Sequence, residues 1–491
     1  MLNIRARTGS VSDVIVAGAG PAGTSAAARL ADRGYDVVLI DRQEFPRDKV
    51  CGDFVGPAGL AELIDLGIET LPAYRASNLI RGAVLYLDGV PLIEQSLPQV
   101  EGLPGHGRVV PRTILDNWLW DAAKARGVRT IERCKVLGFS ADSEGGAVRL
   151  ADREPLRARL LLGADGSAST LARQLAGDKP DRKDRIVAVR AYYENVAGPE
   201  DRCDLYFSGD SFPGYYWLFP TGKGCANVGV GMILETLPPT EGRLADLLTD
   251  LVERDPALCK RLQGARRVGP ILGWPLMTYN RSRPVIADRL MLLGDAAGLI
   301  NPINGEGIQY ALESGRWAAE AASRALAADQ LDTAGLAPYE AELRDRMDYD
   351  MALAGMIVTM IRNRNLNPVW LAALRIICTR ARRDPIYAEL AGGILAGLLP
   401  ARRAVSLRML LGTIEQAALS LGFGTIKSAL THKGGLSGAG LDWWHGARQM
   451  AIEAFREPRA LAGWSSTVAA SGLRLASEIG ADMGARIRIT S

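Results

Sequence analysis

The feature that most constrains this chain is a glycine-rich turn between a strand pattern and a helix pattern. Residues 13–17 (DVIVA) are the β-branched run of a buried strand, and Gly18, Gly20 and Gly23 follow at once with the spacing G-x-G-x-x-G. The alanine-rich stretch from about Pro21 to Arg33 then predicts a helix. A strand, a tight turn and a helix in this order indicate the first half of a βαβ unit.

The second half of this unit supplies the chemistry of a dinucleotide site. Residues 35–40 (YDVVLI) return to a strand pattern that ends at Asp41, 23 residues after Gly18. An acid at about this distance can hold ribose hydroxyls, while the three glycines permit a tight turn, close approach of a diphosphate and close helix packing. The helix N-terminus directs free N–H groups at the phosphates. The pattern predicts a bound dinucleotide but does not separate FAD from NAD.

A second glycine-rich stretch favours FAD. Residues 294–298 (GDAAG) follow an apolar strand pattern and lead into residues 301–308 (NPINGEGI). Small residues there let the backbone touch a cofactor, and Asp295 can accept hydrogen bonds from a ribose or ribityl chain. A helix that begins near Gly307 would point its N–H groups at the electron-rich edge of a flavin.

Composition argues against several other classes of protein. The 491 residues are 48% hydrophobic and 23% charged with a net charge of +3, which predicts two or three folded domains without the basic stripe of a nucleic-acid binder. The six cysteines form no C-x-x-C pair and the three histidines have no metal-ligand spacing, so we expect no metal site. We see no signal peptide and no apolar run long enough to span a bilayer, and we therefore expect a cytoplasmic protein.

The order of strand and helix patterns predicts an α/β fold. A Rossmann-like FAD-binding domain is interleaved with an antiparallel β-sheet substrate domain, and a helical C-terminal region follows. The predicted parts are 10–75, 108–175 and 284–330 for FAD binding, 76–107 and 176–283 for the substrate, and 331–491 for the helical region. Residues 111–125 predict a helix whose apolar face comprises Ile114, Leu115, Trp118, Leu119 and Ala122.

Three motifs together resemble those of the flavoprotein superfamily of para-hydroxybenzoate-hydroxylase type: the first glycine-rich turn, GADG at 163–166 and GDAAG at 294–298. Two further segments narrow the resemblance. Residues 46–52 (PRDKVCG) look like the P-x-x-K-x-C-G segment of the geranylgeranyl reductase family, and residues 215–220 (YYWLFP) are similar to its Y-x-W-x-F-P motif. The resemblance implies an enzyme that uses reduced FAD to saturate C=C double bonds of a prenyl (geranylgeranyl-like) or other apolar isoprenoid substrate.

The resemblance also implies roles for single residues. Arg112 would contact the cofactor diphosphate, Asp165 would lie near the flavin, and Cys51 would sit beside the flavin ring. The residues expected to bind FAD, from the motifs and the resemblance together, are Gly18, Gly20, Pro21, Ala22, Gly23, Asp41, Arg42, Cys51, Gly52, Arg112, Val136, Asp165, Gly166, Gly294, Asp295, Gly305, Gly307 and Ile308. The candidate catalytic residues are Cys51, Tyr215 and Trp217.

A substrate pocket is expected beside the flavin. Period-two spacing places Tyr215, Trp217 and Phe219 on one strand face, an aromatic wall suited to a polyprenyl chain, and Pro220 completes the predicted pocket. The same aromatic residues also suit the core of a β-sheet. Lys49 is expected to be structural or solvent-facing rather than catalytic.

The reaction stays open between two classes of flavoenzyme. A flavin monooxygenase, epoxidase or halogenase of the same fold, acting on an apolar or aromatic metabolite, is the alternative to a reductase. Related halogenases carry a W-x-W-x-I-P stretch. This chain has Tyr215 and Phe219 at the first and penultimate places of that stretch, which weakens the halogenase interpretation. A flavin-binding scaffold without activity is a third interpretation. NAD(P)H, a ferredoxin or a deazaflavin could each donate the electrons.

The last third of the chain is apolar from 351 to 430 but interrupted by basic residues, namely Arg380, Arg382, Arg383, Arg402 and Arg403. Amphipathic helices with a cationic face suit peripheral contact with an anionic membrane, as a lipid-soluble small-molecule substrate would require. Packing against the flavin domain or a second subunit explains the same pattern, so both interpretations stay open. The glycine-rich stretch 434–450 shows no recognisable chemistry, and no pattern in the sequence reports the oligomeric state.

Overall fold

The computed structural model describes residues 11–177, 182–237, 243–395, 397–399, 448, 452 and 458–490. They form a mixed α/β fold with two large sheets, one small sheet and a helical C-terminal region, which is the predicted fold class. Arg402, Arg403 and the glycine-rich residues 434–447 lie outside the described part of the chain.

The described strands and helices follow one another along the chain as the periodicity suggests. The strands are β1 (Ser12–Ala17), β2 (Val37–Ile40), β3 (Phe54–Val55), β4 (Asn78–Ile80), β5 (Gly82–Leu87), β6 (Val90–Ser96), β7 (Gly107–Val109), β8 (Arg129–Ile131), β9 (Val136–Asp142), β10 (Gly145–Leu150), β11 (Arg153–Gly163), β12 (Arg185–Glu194), β13 (Arg202–Phe207), β14 (Tyr215–Gly222), β15 (Cys225–Ile233), β16 (Arg266–Met277), β17 (Ile286–Ala287) and β18 (Leu290–Leu292). The helices are α1 (Pro21–Asp32), α2 (Pro57–Asp65), α3 (Pro72–Ala76), α4 (Arg112–Ala125), α5 (Thr170–Ala176), α6 (Leu244–Arg254), α7 (Pro256–Arg261), α8 (Ile308–Ala328), α9 (Thr333–Ile361), α10 (Asn367–Arg383), α11 (Pro385–Leu395) and α12 (Pro458–Thr490).

The first sheet has a parallel core, in the order β17-β18-β11-β1-β2-β8, and β9 and β10 extend it beside β11. Its central strands carry almost uninterrupted aliphatic residues because helices cover the sheet. Helix α1 packs against α4 and α8 in that cover. Parallel strands bring their carboxyl ends to one edge, and the glycine-rich turns after β1 and β18 therefore lie at the same edge.

The second sheet, in the order β16-β12-β15-β14-β13-β5-β6, carries the aromatic strand β14 at its centre. Its pairs are antiparallel except β5 with β13, which is parallel because the chain leaves this sheet after β6 and returns only at β12. One face of β14 presents Tyr216 and Leu218 to helices α6 and α7, and the opposite face presents Tyr215, Trp217 and Phe219.

The strands of the two large sheets come from separate stretches of the chain. The first sheet uses residues 12–40, 129–163 and 286–292, and the second uses 82–96 and 185–277. A short third sheet, β3-β7-β4, contributes Ile80 and Val109 to the same apolar cluster as Trp217 and Phe219. The domain boundaries drawn from the sequence stay a prediction.

Helix α4 departs from its predicted face at one position. Leu115, Trp118 and Leu119 are buried as expected, but Ile114 is 42% exposed. Ile114 lies one residue before Leu115, about 100° away around the helix, and this turns its side chain to solvent.

The C-terminal helices pack against the rest of the chain. Helix α9 lies against α8 and α12, and α10 lies against β6 and α11. Two of the basic residues of α10 take part in this packing: the Arg380 guanidinium stacks 4.0 Å from the Tyr387 ring centroid, and Arg382 donates a hydrogen bond to the Pro91 carbonyl. Within the described residues no helix is both long and apolar enough to cross a bilayer. Peripheral membrane contact stays a prediction.

Candidate functional site

A cavity of about 1030 Å³ lies between the two large sheets and the C-terminal helices. Its first part follows the carboxyl ends of four parallel strands, where Gly18, Asp41, Asp165 and Asp295 line it. Ligands of open α/β sheets bind at this edge. The volume lies at the upper end of the roughly 300–1,000 Å³ usual for one small-molecule site, so a large cofactor and part of a substrate can share the cavity.

The turn before α1 is shaped to receive a diphosphate. Gly18 has a φ of +104°, and a Cβ there would lie 2.2 Å from the Ala164 carbonyl oxygen. A Cβ on Gly23 would lie 1.9 Å from the Gly18 carbonyl oxygen, so Gly23 serves the packing of helix on turn and does not line the cavity. Gly20 begins the helix without a side-chain cap, and Pro21 follows it. The N–H groups of the first turn are therefore directed at the cavity.

Asp41 is fixed at the end of β2 by the backbone. Its two carboxylate oxygens accept hydrogen bonds from the N–H groups of Ala19 and Gln43, each at 2.9 Å. Arg47 lies 3.7 Å from the same carboxylate and 2.9 Å from Asp116. Arg47 also lies 3.6 Å from where a Cβ on Gly20 would stand, which places its guanidinium beside the phosphate turn. The sequence analysis missed Arg47, although it stands inside the P-x-x-K-x-C-G segment.

Arg112 is a buried member of the cavity wall. Its guanidinium makes a two-point ion pair with Asp116, at 2.6 and 2.8 Å. Burial opposes the charge on Arg112, yet Asp116 holds its pKa above the ordinary value, so the side chain stays cationic. A fixed cation at the cavity wall suits the predicted contact with a diphosphate. The Asp116 carboxylate already accepts from two of its nitrogens, Nε and Nη2.

The late glycine-rich stretch borders the cavity beside the first turn. Asp295 accepts a hydrogen bond from the Ser167 hydroxyl at 2.8 Å, while Gly294 packs against Ala22 and Ala311 and does not line the cavity. Asp165 accepts a hydrogen bond from the Thr170 N–H, but its Oδ1 is buried and has no partner. The predicted cofactor residues therefore line the cavity with two exceptions, Gly23 and Gly294, which serve packing.

These residues fit FAD. Its diphosphate suits the uncapped N-terminus of α1, the two cations beside it and a glycine turn with no room for a Cβ. Its ribose and ribityl hydroxyls suit the carboxylates at the strand ends. The unpartnered Oδ1 of Asp165 supports this assignment, because a buried polar atom without a protein partner indicates a ligand or water that supplies one.

The aromatic face of β14 forms the wall of the cavity. The ring centroids of Tyr215 and Trp217 lie 6.0 Å apart and those of Trp217 and Phe219 lie 5.9 Å apart. Tyr215 donates a hydrogen bond to the Asn304 carbonyl at 2.6 Å, which joins this wall to the loop before α8. Pro220, predicted as part of the pocket, does not line it, because side chains alternate along β14 and Pro220 faces the side opposite to Phe219.

Cys51 and Gly52 lie against this wall. A Cβ on Gly52 would stand 3.2 Å from the Phe219 ring, so glycine lets the segment approach this ring without displacing it. Burial raises the pKa of the Cys51 thiol, and Arg112 only partly opposes that effect. The thiol therefore keeps its proton at neutral pH.

Lys49, expected to be either structural or solvent-facing, is only partly exposed. It lines the cavity, and its ammonium lies 4.7 Å from the Trp274 ring centroid. Burial lowers the pKa of Lys49 to about 8. Trp274 belongs to β16, far along the chain, so no local pattern could have revealed this pairing. Arg42 approaches the same ring, at 5.6 Å.

Glu306 is a further cavity residue that sequence analysis missed. It stands between Gly305 and Gly307, and its carboxylate accepts a hydrogen bond from the Gln309 N–H at the start of α8. Burial raises the pKa of Glu306 from 4.5 to about 7, although these N–H groups oppose the shift.

Replacing Glu306 with glutamine is expected to change how stability depends on pH. Between about pH 4.5 and pH 7, Glu306 is protonated in the folded chain and ionised in the unfolded chain. The free energy of unfolding of the wild type should therefore fall as pH rises through this window. Glu306→Gln should lack this fall, which amounts to about 2 kcal/mol in the free energy of unfolding. Chemical denaturation at about pH 5 and about pH 8 measures it, with the exposed Glu101→Gln as control. Equal pH dependence in Glu306→Gln and wild type would contradict the prediction.

Fold and site together define an FAD-dependent oxidoreductase. A family model described as an FAD binding domain matches residues 11–347, and the chain belongs to that family. Over 319 residues the chain is 36% identical to a menaquinone reductase of Mycolicibacterium smegmatis, covering 63% of this chain and 76% of the relative. It is 31% identical over 352 residues to a digeranylgeranylglycerophospholipid reductase of Methanosarcina mazei, covering 70% and 83%.

A solved structure agrees with these relatives. A geranylgeranyl bacteriochlorophyll reductase-like protein of Thermoplasma acidophilum superposes with a TM-score of 0.64 at 26% identity, covering 72% of this chain and 88% of that one. Within the FAD-binding family, this chain is therefore a member of the geranylgeranyl reductase family, as its two short motifs indicate.

Proposed function

We propose that this enzyme reduces C=C double bonds in the isoprenoid chain of a lipid-soluble substrate. The observation that supports this most directly is an apolar extension of the cavity, lined by Leu85, Phe207, Ile357, Ile361, Trp370, Leu374 and Ile377, which we call the apolar arm. Family membership supports reduction of prenyl substrates in general. The arm supports a long aliphatic chain in particular.

The apolar arm lies between the second sheet and the C-terminal helices. Leu85 and Phe207 come from the neighbouring strands β5 and β13, and the remaining side chains come from α9 and α10. Ile357 and the residues after it lie beyond position 347, where the family model ends. The α9 and α10 side of the arm therefore lies outside the region that the family model covers, while Leu85 and Phe207 lie within it.

An isoprenoid suits this arm better than a compact aromatic metabolite. Aliphatic side chains line the arm from both sides, and each CH₂ moved there from water contributes about 0.8 kcal/mol. The binding is non-directional, so the aromatic wall must set the position of the reacting bond. Tyr215, Trp217 and Phe219 give that wall a fixed geometry, because Tyr215 is hydrogen-bonded to Asn304 and Trp217 is hydrogen-bonded to Asn227.

The protein contributes orientation, water exclusion and a proton. When bound and reduced, FAD supplies a hydride for one alkene carbon. The rings of Trp217 and Phe219 hold the alkene against the Cys51–Gly52 segment, and the apolar lining keeps water from the reacting atoms. Cys51 carries a proton on Sγ at neutral pH and is the side chain we propose to face the second alkene carbon. The electrons come from an external donor, for which NAD(P)H, a ferredoxin and a deazaflavin remain the candidates.

Turnover without oxygen tests the proposed function. The purified flavoprotein, a chemical reductant and a geranylgeranyl substrate are expected to give, under argon, a product two hydrogens heavier per reduced bond by mass spectrometry. The alternative, a flavin monooxygenase, needs oxygen and would give a product one oxygen atom heavier only in air. An oxygen-dependent product would overturn the proposal, and boiled protein with the same reductant controls for chemical reduction.

A further inference from the structure

Behind the Cys51–Gly52 segment lies a polar network in an otherwise apolar region. Asp53 is fully buried and has a φ of +66°, a backbone conformation that residues other than glycine rarely adopt. Its neighbours come from two strands of the second sheet: Tyr192 on β12 and Asn227 on β15. A buried carboxyl in a strained backbone indicates a position that the surrounding structure fixes.

The hydrogen bonds of this network converge on Cys51. The Asp53 N–H points to the Cys51 sulfur at 3.4 Å, and the Asn227 side-chain amide donates to the Cys51 carbonyl at 2.8 Å. The same amide donates to Asp53 Oδ2 at 2.8 Å, and the Tyr192 hydroxyl donates to that oxygen at 2.6 Å. The thiol-bearing residue is therefore held by its own sulfur and by its carbonyl.

The network also reaches the aromatic wall. The side-chain oxygen Oδ1 of Asn227 accepts a hydrogen bond from the Trp217 indole N–H at 2.9 Å. One asparagine side chain thus joins Cys51, Asp53 and Trp217, and fixes the thiol relative to the ring that we propose orients the substrate.

Charged side chains surround the Asp53 carboxyl. Arg190 stacks on the Tyr192 ring, with its guanidinium carbon 4.5 Å from the centroid, and pairs with the partly exposed Asp48 at 2.6 Å. Arg112 faces Asp53 and Cys51 from α4. Burial raises the pKa of Asp53 to about 6 despite the hydrogen bonds from Tyr192 and Asn227, so its carboxyl is mainly ionised above neutral pH. Asp53 Oδ1 has no partner, which leaves that negative charge poorly compensated.

We propose that Asp53 is a positioning residue: with Tyr192 and Asn227 it fixes Cys51 against Trp217, and its carboxylate adds to the burial that keeps the Cys51 thiol protonated. A negative charge beside a thiol disfavours the thiolate, and Asp53 acts on Cys51 in this direction while Arg112 acts against it. The proposal deepens the proposed function and rests on it only for the role of Cys51 beside the reacting carbon.

Alkylation of Cys51 tests this inference without any prenyl substrate. The flavin-loaded protein is treated with iodoacetamide across pH, and the labelled peptides are quantified by mass spectrometry. Asp53→Asn keeps the shape and removes the charge, so the midpoint for Cys51 should move to lower pH, with alkylation near pH 8 about threefold to tenfold faster. Cys225 at the start of β15, whose partly exposed thiol donates to the Lys223 carbonyl, is the internal control and should be unchanged.

A second variant keeps the test decisive if Asp53→Asn folds poorly. Tyr192→Phe retains the ring and removes one donor to Asp53, whose carboxylate stays ionised at the alkaline pH where Cys51 titrates. The negative charge is then less compensated, so the Cys51 midpoint should move to higher pH, opposite to the shift in Asp53→Asn. An unchanged Cys51 midpoint in a folded variant, or a shift shared by Cys225, would overturn the inference. Failure of prenyl reduction in the wild-type enzyme would instead contradict the proposed function and leave the alkylation result standing.

Discussion

Replacing Gly18 with alanine is expected to abolish FAD binding. The φ of +104° costs an alanine about 1–2 kcal/mol, and the new Cβ would also lie 2.2 Å from the Ala164 carbonyl oxygen. Relief of that contact requires β1 and β11 to separate, and the N-terminus of α1 would then no longer face the cavity. Visible absorbance of the purified protein measures the flavin content, which should fall to near zero relative to wild type.

Gly34→Ala is the matched control for this prediction. Gly34 also has a positive φ, +87°, but a Cβ there meets nothing within 4 Å. Its replacement should cost about 1 kcal/mol of stability and leave the flavin content unchanged. Normal flavin content in Gly18→Ala would contradict the placement of the diphosphate at this turn. Equal loss in both variants would indicate general destabilisation instead.

The cofactor half of the site could be predicted because its determinants are local. The turn from Gly18 to the first helix and the acid at Asp41 are separated by few residues, and the strand and helix around them are set by short-range periodicity. The aromatic wall was predictable for the same reason, since side chains two apart on a strand share a face. The same alternation turns Pro220 away from the cavity, because it is one residue from Phe219.

The polar network behind Cys51 could not be predicted in the same way. Asp53 meets Tyr192 across 139 residues of chain and Asn227 across 174, and nothing near any of the three residues signals the other two. The contact of Lys49 with Trp274 was unpredictable for a related reason, because a lysine in a loop is ordinarily solvated and only the packing of β16 brings Trp274 over it.

The apolar arm was also invisible in the sequence. The periodicity of α9 and α10 predicts helices with apolar faces, but an apolar face does not say whether it closes a core or lines a cavity. In the structure these helices do both: Leu371 is buried beside Phe212, while Ile361 and Trp370 border the arm. The substrate part of the enzyme thus depends on tertiary packing that short-range patterns do not specify.

Replacing Ala373 with phenylalanine is expected to weaken reduction of long isoprenoids and to leave FAD binding intact. Ala373 lines the cavity from α10, among the residues of the apolar arm and far along the chain from the phosphate turn. A phenyl ring there fills space for about one isoprene unit, and at about 0.8 kcal/mol per CH₂ the loss is up to about 4 kcal/mol. We expect the KM for a geranylgeranyl substrate to rise by about tenfold or more.

Two comparisons separate this effect from damage to the fold. Ala341→Phe adds the same ring at an exposed position of α9 that does not line the cavity, and it should change neither KM nor flavin content. A short prenyl substrate that does not reach the arm should be reduced by Ala373→Phe at close to the wild-type rate, because the wall of Trp217 and Phe219 is untouched. A filled arm must exclude long substrates and admit short ones. If the KM rises equally for long and short substrates, or if it is unchanged for the long one, the arm does not hold the chain.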